Sequence, residues 1–98
     1  MDCCCSQKTK QRSPEEVKKL LNRLSRIEGQ IRGIRGMIEK DAYCTDVLTQ
    51  SAAVSAAMNA FSRELLAEHI RTCVADGIRN GEEDVIDELN QTLQKLMK

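Results

Sequence analysis

The chain has 98 residues, 41% of them hydrophobic, with one Tyr, one Phe, no Trp and one Pro, a composition that argues against two domains and against an all-β fold. Its formal charge is zero, yet residues 7–40 carry ten Lys and Arg against four Glu, while residues 41–98 carry five against ten Asp and Glu. A basic segment inside a neutral chain is a local anion-binding surface, with nucleic acid as one candidate and a solvated helix face as the other. No apolar run reaches the roughly 18 residues of a membrane span, and the start MDCCCSQKTKQR lacks the basic-then-apolar pattern of a signal peptide, so a cytoplasmic protein with no membrane partner is expected. Five Cys without an export signal point to reduced thiols used for metal binding or redox sensing rather than to a disulfide scaffold.

Residues 1–12 show no apolar periodicity and read as a disordered, Cys-containing arm, which leaves 13–98 as a single helical domain. Ser13-Pro14-Glu15-Glu16 supplies an N-cap, a Pro for the first helical position and two acids for the first turn. From there Val17, Leu20, Leu21, Leu24, Ile27, Ile31, Ile34 and Ile38 recur at spacings of three and four, predicting a helix of about 25 residues. Gly29, Gly33 and Gly36 fall together on the side opposite that stripe, although each costs a helix about 1 kcal/mol relative to Ala. Lys18, Arg26 and Arg32 flank them, with Lys19 and Arg23 nearby. A phosphate backbone could approach closely there, the alternative being a solvent-facing surface that tolerates glycine.

The pattern breaks at residues 40–46, where Asp41 or Thr45 could cap the next helix. A second stripe then runs through Val47, Leu48, Val54, Met58, Phe61, Leu65, Ile70 and Val74, predicting a helix of about 30 residues. Asn80-Gly81 stops it, Glu82, Glu83 and Asp84 suit a new N-terminus, and Val85, Ile86, Leu89, Leu93 and Leu96 mark a short third helix. The expected fold is all-α: two long antiparallel helices and one short C-terminal one. Such a hairpin cannot enclose a core alone, so a dimer forming an antiparallel four-helix bundle is expected. The long helices also exclude a helix-turn-helix, which needs two short helices at a steep angle.

His69 and Cys73 lie four apart on the second helix and could chelate a metal from one face, although a buried Cys beside a hydrogen-bonded His explains the pair as well. Cys44 falls on the same side of that helix, but 25 residues separate it from His69, about 37 Å at 1.5 Å per residue. An antiparallel copy of the helix removes that distance, with its two-fold near Ala57-Met58 and the small Ser51, Ser55 and Ser62 on the crossing face. Two thiolates and one imidazole make a soft, low-coordinate site that suits Cu(I) better than Zn(II). One His is too few for a nitrogen-rich nickel or cobalt site unless a backbone or N-terminal nitrogen takes part. A thiol redox enzyme would need a substrate pocket and a general base, and neither is evident, so the chain does not read as an enzyme.

The segments RLSRIEGQIRGI (23–34), Tyr43-Cys44, AAVSAAMNA (52–60) and His69-x-x-x-Cys73 followed by VADGIRNG together resemble the copper-sensing operon repressor (CsoR) family. The resemblance spans residues 16–97. It implies a helical dimer of hairpins, paired into a dimer of dimers, that represses transcription on double-stranded operator DNA and leaves it when Cu(I) binds. Carried over, Cys44 of one protomer with His69 and Cys73 of the other are the implied copper ligands, and Tyr43 and Glu88 the residues that support them. The segment after Gly81 is one residue shorter than in some relatives. Related branches sense persulfide without the His, formaldehyde without the second Cys, or nickel and cobalt with additional His residues. The alternative functions are therefore a dithiol sensor, for persulfide or redox signals, and a sensor of another metal such as nickel.

Overall fold

The computed structural model describes residues 12–97. The expected disordered arm, with Cys3, Cys4 and Cys5, lies outside the described residues apart from Arg12. Among the described residues the chain is all-α, in three continuous helical stretches. Helix α1 is Pro14–Glu39 and α2 is Cys44–His69. From α2 the chain passes without a break through a π-helical turn, Ile70–Val74, into α3, Ala75–Arg79, and α4 is Asp84–Leu96. The second stretch thus exceeds the 30 residues expected. Residues 44–76 contain neither Pro nor Gly to end the ladder, and a π turn absorbs an extra residue where an α-helix would need a break.

Two compact units divide the chain, Arg12–Glu64 and the segment from Leu65 onward. In the first, Ser13 is extended (φ −65°, ψ 155°) and its Oγ accepts the Glu16 N–H at 3.2 Å, with Pro14 at the first helical position. One of the four orphan donors at the helix start is satisfied in this way. At the other end of α1, Asp41 adopts a left-handed φ of 56°. The Ala42 N–H reaches back to the Met37 carbonyl at 2.9 Å and the Asp41 N–H to that of Ile38 at 3.2 Å, a Schellman closure. Asp41 therefore ends α1 and does not cap α2. Thr45, the other expected cap, lies inside the first turn of α2, where its carbonyl accepts the Thr49 hydroxyl at 2.8 Å. The Tyr43 carbonyl takes the opening role, accepting the N–H groups of Asp46 and Val47 at 3.1 and 3.2 Å.

Glu64 fixes how the hairpin lines up. Its carboxylate contacts Lys19 Nζ at 2.6 Å and Arg23 Nε at 2.7 Å, and the pair Lys19 and Glu64 is nearly equidistant from Asp41, as antiparallel helices require. Ile27 is the one α1 residue fully buried; Leu20, Leu24 and Ile34 are half-buried. Leu21, Ile31 and Ile38 remain 55%, 52% and 61% exposed, and Leu48 on α2 65%.

The second unit has a tighter centre. Cys73, Val74, Gly77 and Val85 are buried, so that α4 folds back on the π turn and α3. Gly81 permits the reversal with a φ of 75°, and the Glu82 N–H reaches the Gly77 carbonyl at 2.8 Å in a second Schellman closure. The approach depends on Gly77: a Cβ there would lie 2.7 and 2.8 Å from the two Val85 methyls.

Gly77→Ala is expected to destabilise the protein by about 1–3 kcal/mol through overpacking, as read by thermal unfolding, and Val85→Ala in the same chain should recover part of the loss. Asp41→Gly is expected to act in the opposite direction, raising stability by up to about 1 kcal/mol, because glycine relieves the left-handed strain; an unchanged or lower melting temperature would count against the assignment.

Candidate metal site and basic face

The candidate ligands occupy the ends of the long central stretch. Cys44 is the first residue of α2 and carries an exposed, free thiol. Tyr43, just before it, is 73% exposed. His69 is the last residue of α2 and half-buried, and Cys73 lies within the π turn at 2% exposure. Such turns interrupt the α ladder at a cost and often do so at functional sites. Around Cys73, the Thr72 hydroxyl donates to the Glu68 carbonyl at 2.8 Å and lies 3.7 Å from Cys73 Sγ, while Glu68 pairs with Arg71 at 2.8 Å. Cys73 is disulfide-bonded in this structure, unlike the reduced thiol expected. Glu88 is half-buried on α4, and its carbonyl accepts the Thr92 hydroxyl at 3.0 Å.

His69, Cys73 and Glu88 thus belong to the unit from Leu65 onward, and Tyr43 and Cys44 to Arg12–Glu64. Among the described residues no group of three His, Cys, Asp or Glu side chains is arranged to hold a metal within one chain. The donor types still suit one metal class. Two sulfurs and an imidazole are soft ligands, and in reduced form they fit a monovalent, low-coordinate ion.

The basic face is carried by α1. Lys18, Lys19, Arg26 and Arg32 are exposed and Arg23 is half-buried. Gly33 and Gly36 open onto free space, and a Cβ on Gly29 would meet only the Arg32 guanidinium, at 3.9 Å. Among the described residues, nothing but the Arg32 guanidinium comes within 4 Å of a Cβ placed on this glycine line. Lys19 and Arg23 are the exceptions among the cations, both engaged by Glu64. The hydrogen bond from Lys19 holds the Glu64 carboxyl below its ordinary value of 4.5, desolvation opposing and the charges of Arg23 and Lys19 adding to the effect. The role of Glu64 went unseen in the sequence. It lies more than 40 residues from both partners, and only the hairpin register centred on Asp41 brings them together.

Residues 16–95 match the family model described as metal-sensitive transcriptional repressor. The copper-sensing transcriptional repressor CsoR of Bacillus subtilis is 47% identical over 88 residues, covering 89% of this chain and 87% of that protein. Among solved structures, that of the copper-sensing repressor CsoR with Cu(I) from Geobacillus thermodenitrificans superposes with a TM-score of 0.87 at 37% identity, covering 92% of this chain and 95% of that one. The nickel-responsive transcriptional regulator InrS also superposes, with a TM-score of 0.73 at 37% identity, over 90% of this chain and 97% of its own. An all-α chain of this helix order, matched over most of its length in sequence and in structure, belongs to the metal-sensitive transcriptional repressor family, whose members are repressors and not enzymes.

Proposed function

We propose that the chain is a cytoplasmic, Cu(I)-responsive transcriptional repressor that binds double-stranded operator DNA in its apo form and releases it when Cu(I) binds between subunits. The complete soft donor set carries this reading: Cys44 at one end of α2, and His69 with Cys73 at and just beyond the other. The relatives are copper-sensing by name and one of them is solved with Cu(I), whose preference the sulfur-rich donor set matches. A single His argues against the nickel alternative, despite the likeness to a nickel-responsive regulator. A second reading is a dithiol sensor of the same fold in which Cys44 and Cys73 respond to oxidation; the bond at Cys73 is not made to Cys44, whose thiol is free.

With Cys44 at the start of α2 and His69 at its end, the three ligands are shared between two chains in this reading, and the exposed Leu21, Ile31, Ile38 and Leu48 provide apolar area for a homodimer, and for a tetramer built from dimers. Cys44 of one chain and His69 and Cys73 of the other would hold Cu(I) here, and the ion would supply a link between the two chains. In this reading Tyr43 and Glu88 orient the ligands. Lys18, Lys19, Arg23, Arg26 and Arg32 on α1 meet the DNA phosphates, which position the protein on the duplex.

Reversal of Arg26 and Arg32 to Glu is expected to abolish binding of the apo-protein to duplex DNA without changing its helicity; wild-type affinity in that variant would reduce the basic face to a solvated surface. Subunit sharing is tested by mixing Cys44→Ala chains with His69→Ala/Cys73→Ala chains, all carrying Cys3, Cys4 and Cys5 as Ser. Each homodimer should lose both three-ligand sites, whereas the heterodimer regains one, so Cu(I) titration under reducing conditions should show one tight equivalent per heterodimer. Finding none would remove the shared site. Loss of DNA on thiol oxidation, with no response to Cu(I), would select the dithiol reading.

A further inference from the structure

Two of the five cations proposed to meet phosphate are already engaged. Lys19 Nζ lies 2.6 Å from Glu64 Oε1 and Arg23 Nε 2.7 Å from Glu64 Oε2, so one carboxylate holds both. Lys18, Arg26 and Arg32 have no such counter-ion among the described residues. We propose that Glu64 is an internal competitor for the DNA backbone: its carboxylate occupies the cations a phosphate would use, and in doing so it sets the affinity of the α1 face. This proposal rests on the reading of α1 as the DNA-binding face.

The chemistry of the contact favours exchange. Carboxylate and phosphate present the same feature, anionic oxygens that accept N–H bonds, so each can take the place of the other on Lys and Arg. The trio is accessible, since the side chains of Lys19, Arg23 and Glu64 are 66%, 41% and 25% exposed. The Arg23 contact is made by Nε, 2.7 Å from Glu64 Oε2. A phosphate can align bidentately on the same guanidinium and take the place of the carboxylate. Exposed ion pairs of this kind contribute little to stability. Their consequence falls on binding, because two cations tied to one carboxylate present a single net positive charge to the duplex.

The test uses the full-length, reduced apo-protein and a mixed-sequence DNA duplex, with binding followed by fluorescence anisotropy over a salt series. Glu64→Gln keeps the size of the side chain and removes its charge, with Glu64→Ala as a second variant and circular dichroism confirming helicity in both. Relative to wild type, both should bind severalfold tighter at low salt, with a log–log salt slope steeper by about 0.9, one added phosphate contact. Lys19→Ala/Arg23→Ala should bind more weakly, and adding Glu64→Gln to it should change nothing further. Unchanged or weaker binding by the Glu64 variants, while the Lys19/Arg23 variant still loses affinity, would make Glu64 a support instead of a competitor and overturn the proposal with the DNA-binding face intact. Equal tightening in both backgrounds would reduce it to a long-range charge effect and overturn it too. If Lys19→Ala/Arg23→Ala binds as wild type, the assignment of these cations to DNA falls together with the role of Glu64.

Discussion

The apolar stripe of α1 is longer than the chain can cover, and most of this protein's organisation follows from that constraint. Ile27 is buried, but Leu21, Ile31 and Ile38 on the same helix are more than half exposed. At about 25 cal/mol per Å² of apolar surface removed from water, three large aliphatic side chains left wet forgo several kcal/mol. Under the proposed function a second copy covers that surface and also brings Cys44 to His69 and Cys73, so that assembly and ligand sharing would have one physical origin: helices too long and too few to close a core within one chain.

Where the chain does pack well, it does so around the residues with the most chemistry. Cys73 and Val74 in the π turn are buried, and Val85 on α4 packs on Gly77 at a distance that excludes any larger residue. In the proposed role of Cys73, such a rigid neighbourhood would set the orientation of the ligand in advance. Cys44 stands in contrast as an exposed thiol at a helix start.

The charges of α1 show how close a binding surface and a structural ion pair are to one another. Lys19 and Arg23 belong to the basic segment of α1, proposed above as the DNA-facing surface, and they also pair α1 with α2 through Glu64. Exposed pairs of this sort give little net stability in water. The contact therefore says more about register, and about which cations are free, than about what keeps the hairpin folded.

Much of the architecture was legible in the residues themselves. Ser13-Pro14 marked the start of α1, Gly81 its counterpart at the end of α3, and the stripes from Val17 to Ile38 and from Val85 to Leu96 placed two of the helical stretches, because capping chemistry and a 3.6-residue period are local properties. The family was legible too, in spaced motifs that the comparisons bear out. Other features were settled only in three dimensions. Asp41 looked like a cap for the helix that follows it, and became the left-handed end of the one before, because the backbone bonds of Ala42 and Asp41 run back to Met37 and Ile38. The π turn at Ile70–Val74, which buries Cys73 and Val74, was not anticipated from the apolar stripe that runs through it. Gly77 is silent as a letter and decisive against Val85, and Glu64 is one acid among many until the hairpin brings it to Lys19 and Arg23. Periodicity and caps act over a few residues and can be read from the chain; contacts between residues tens of positions apart depend on the register of whole helices, which the tertiary structure alone decides.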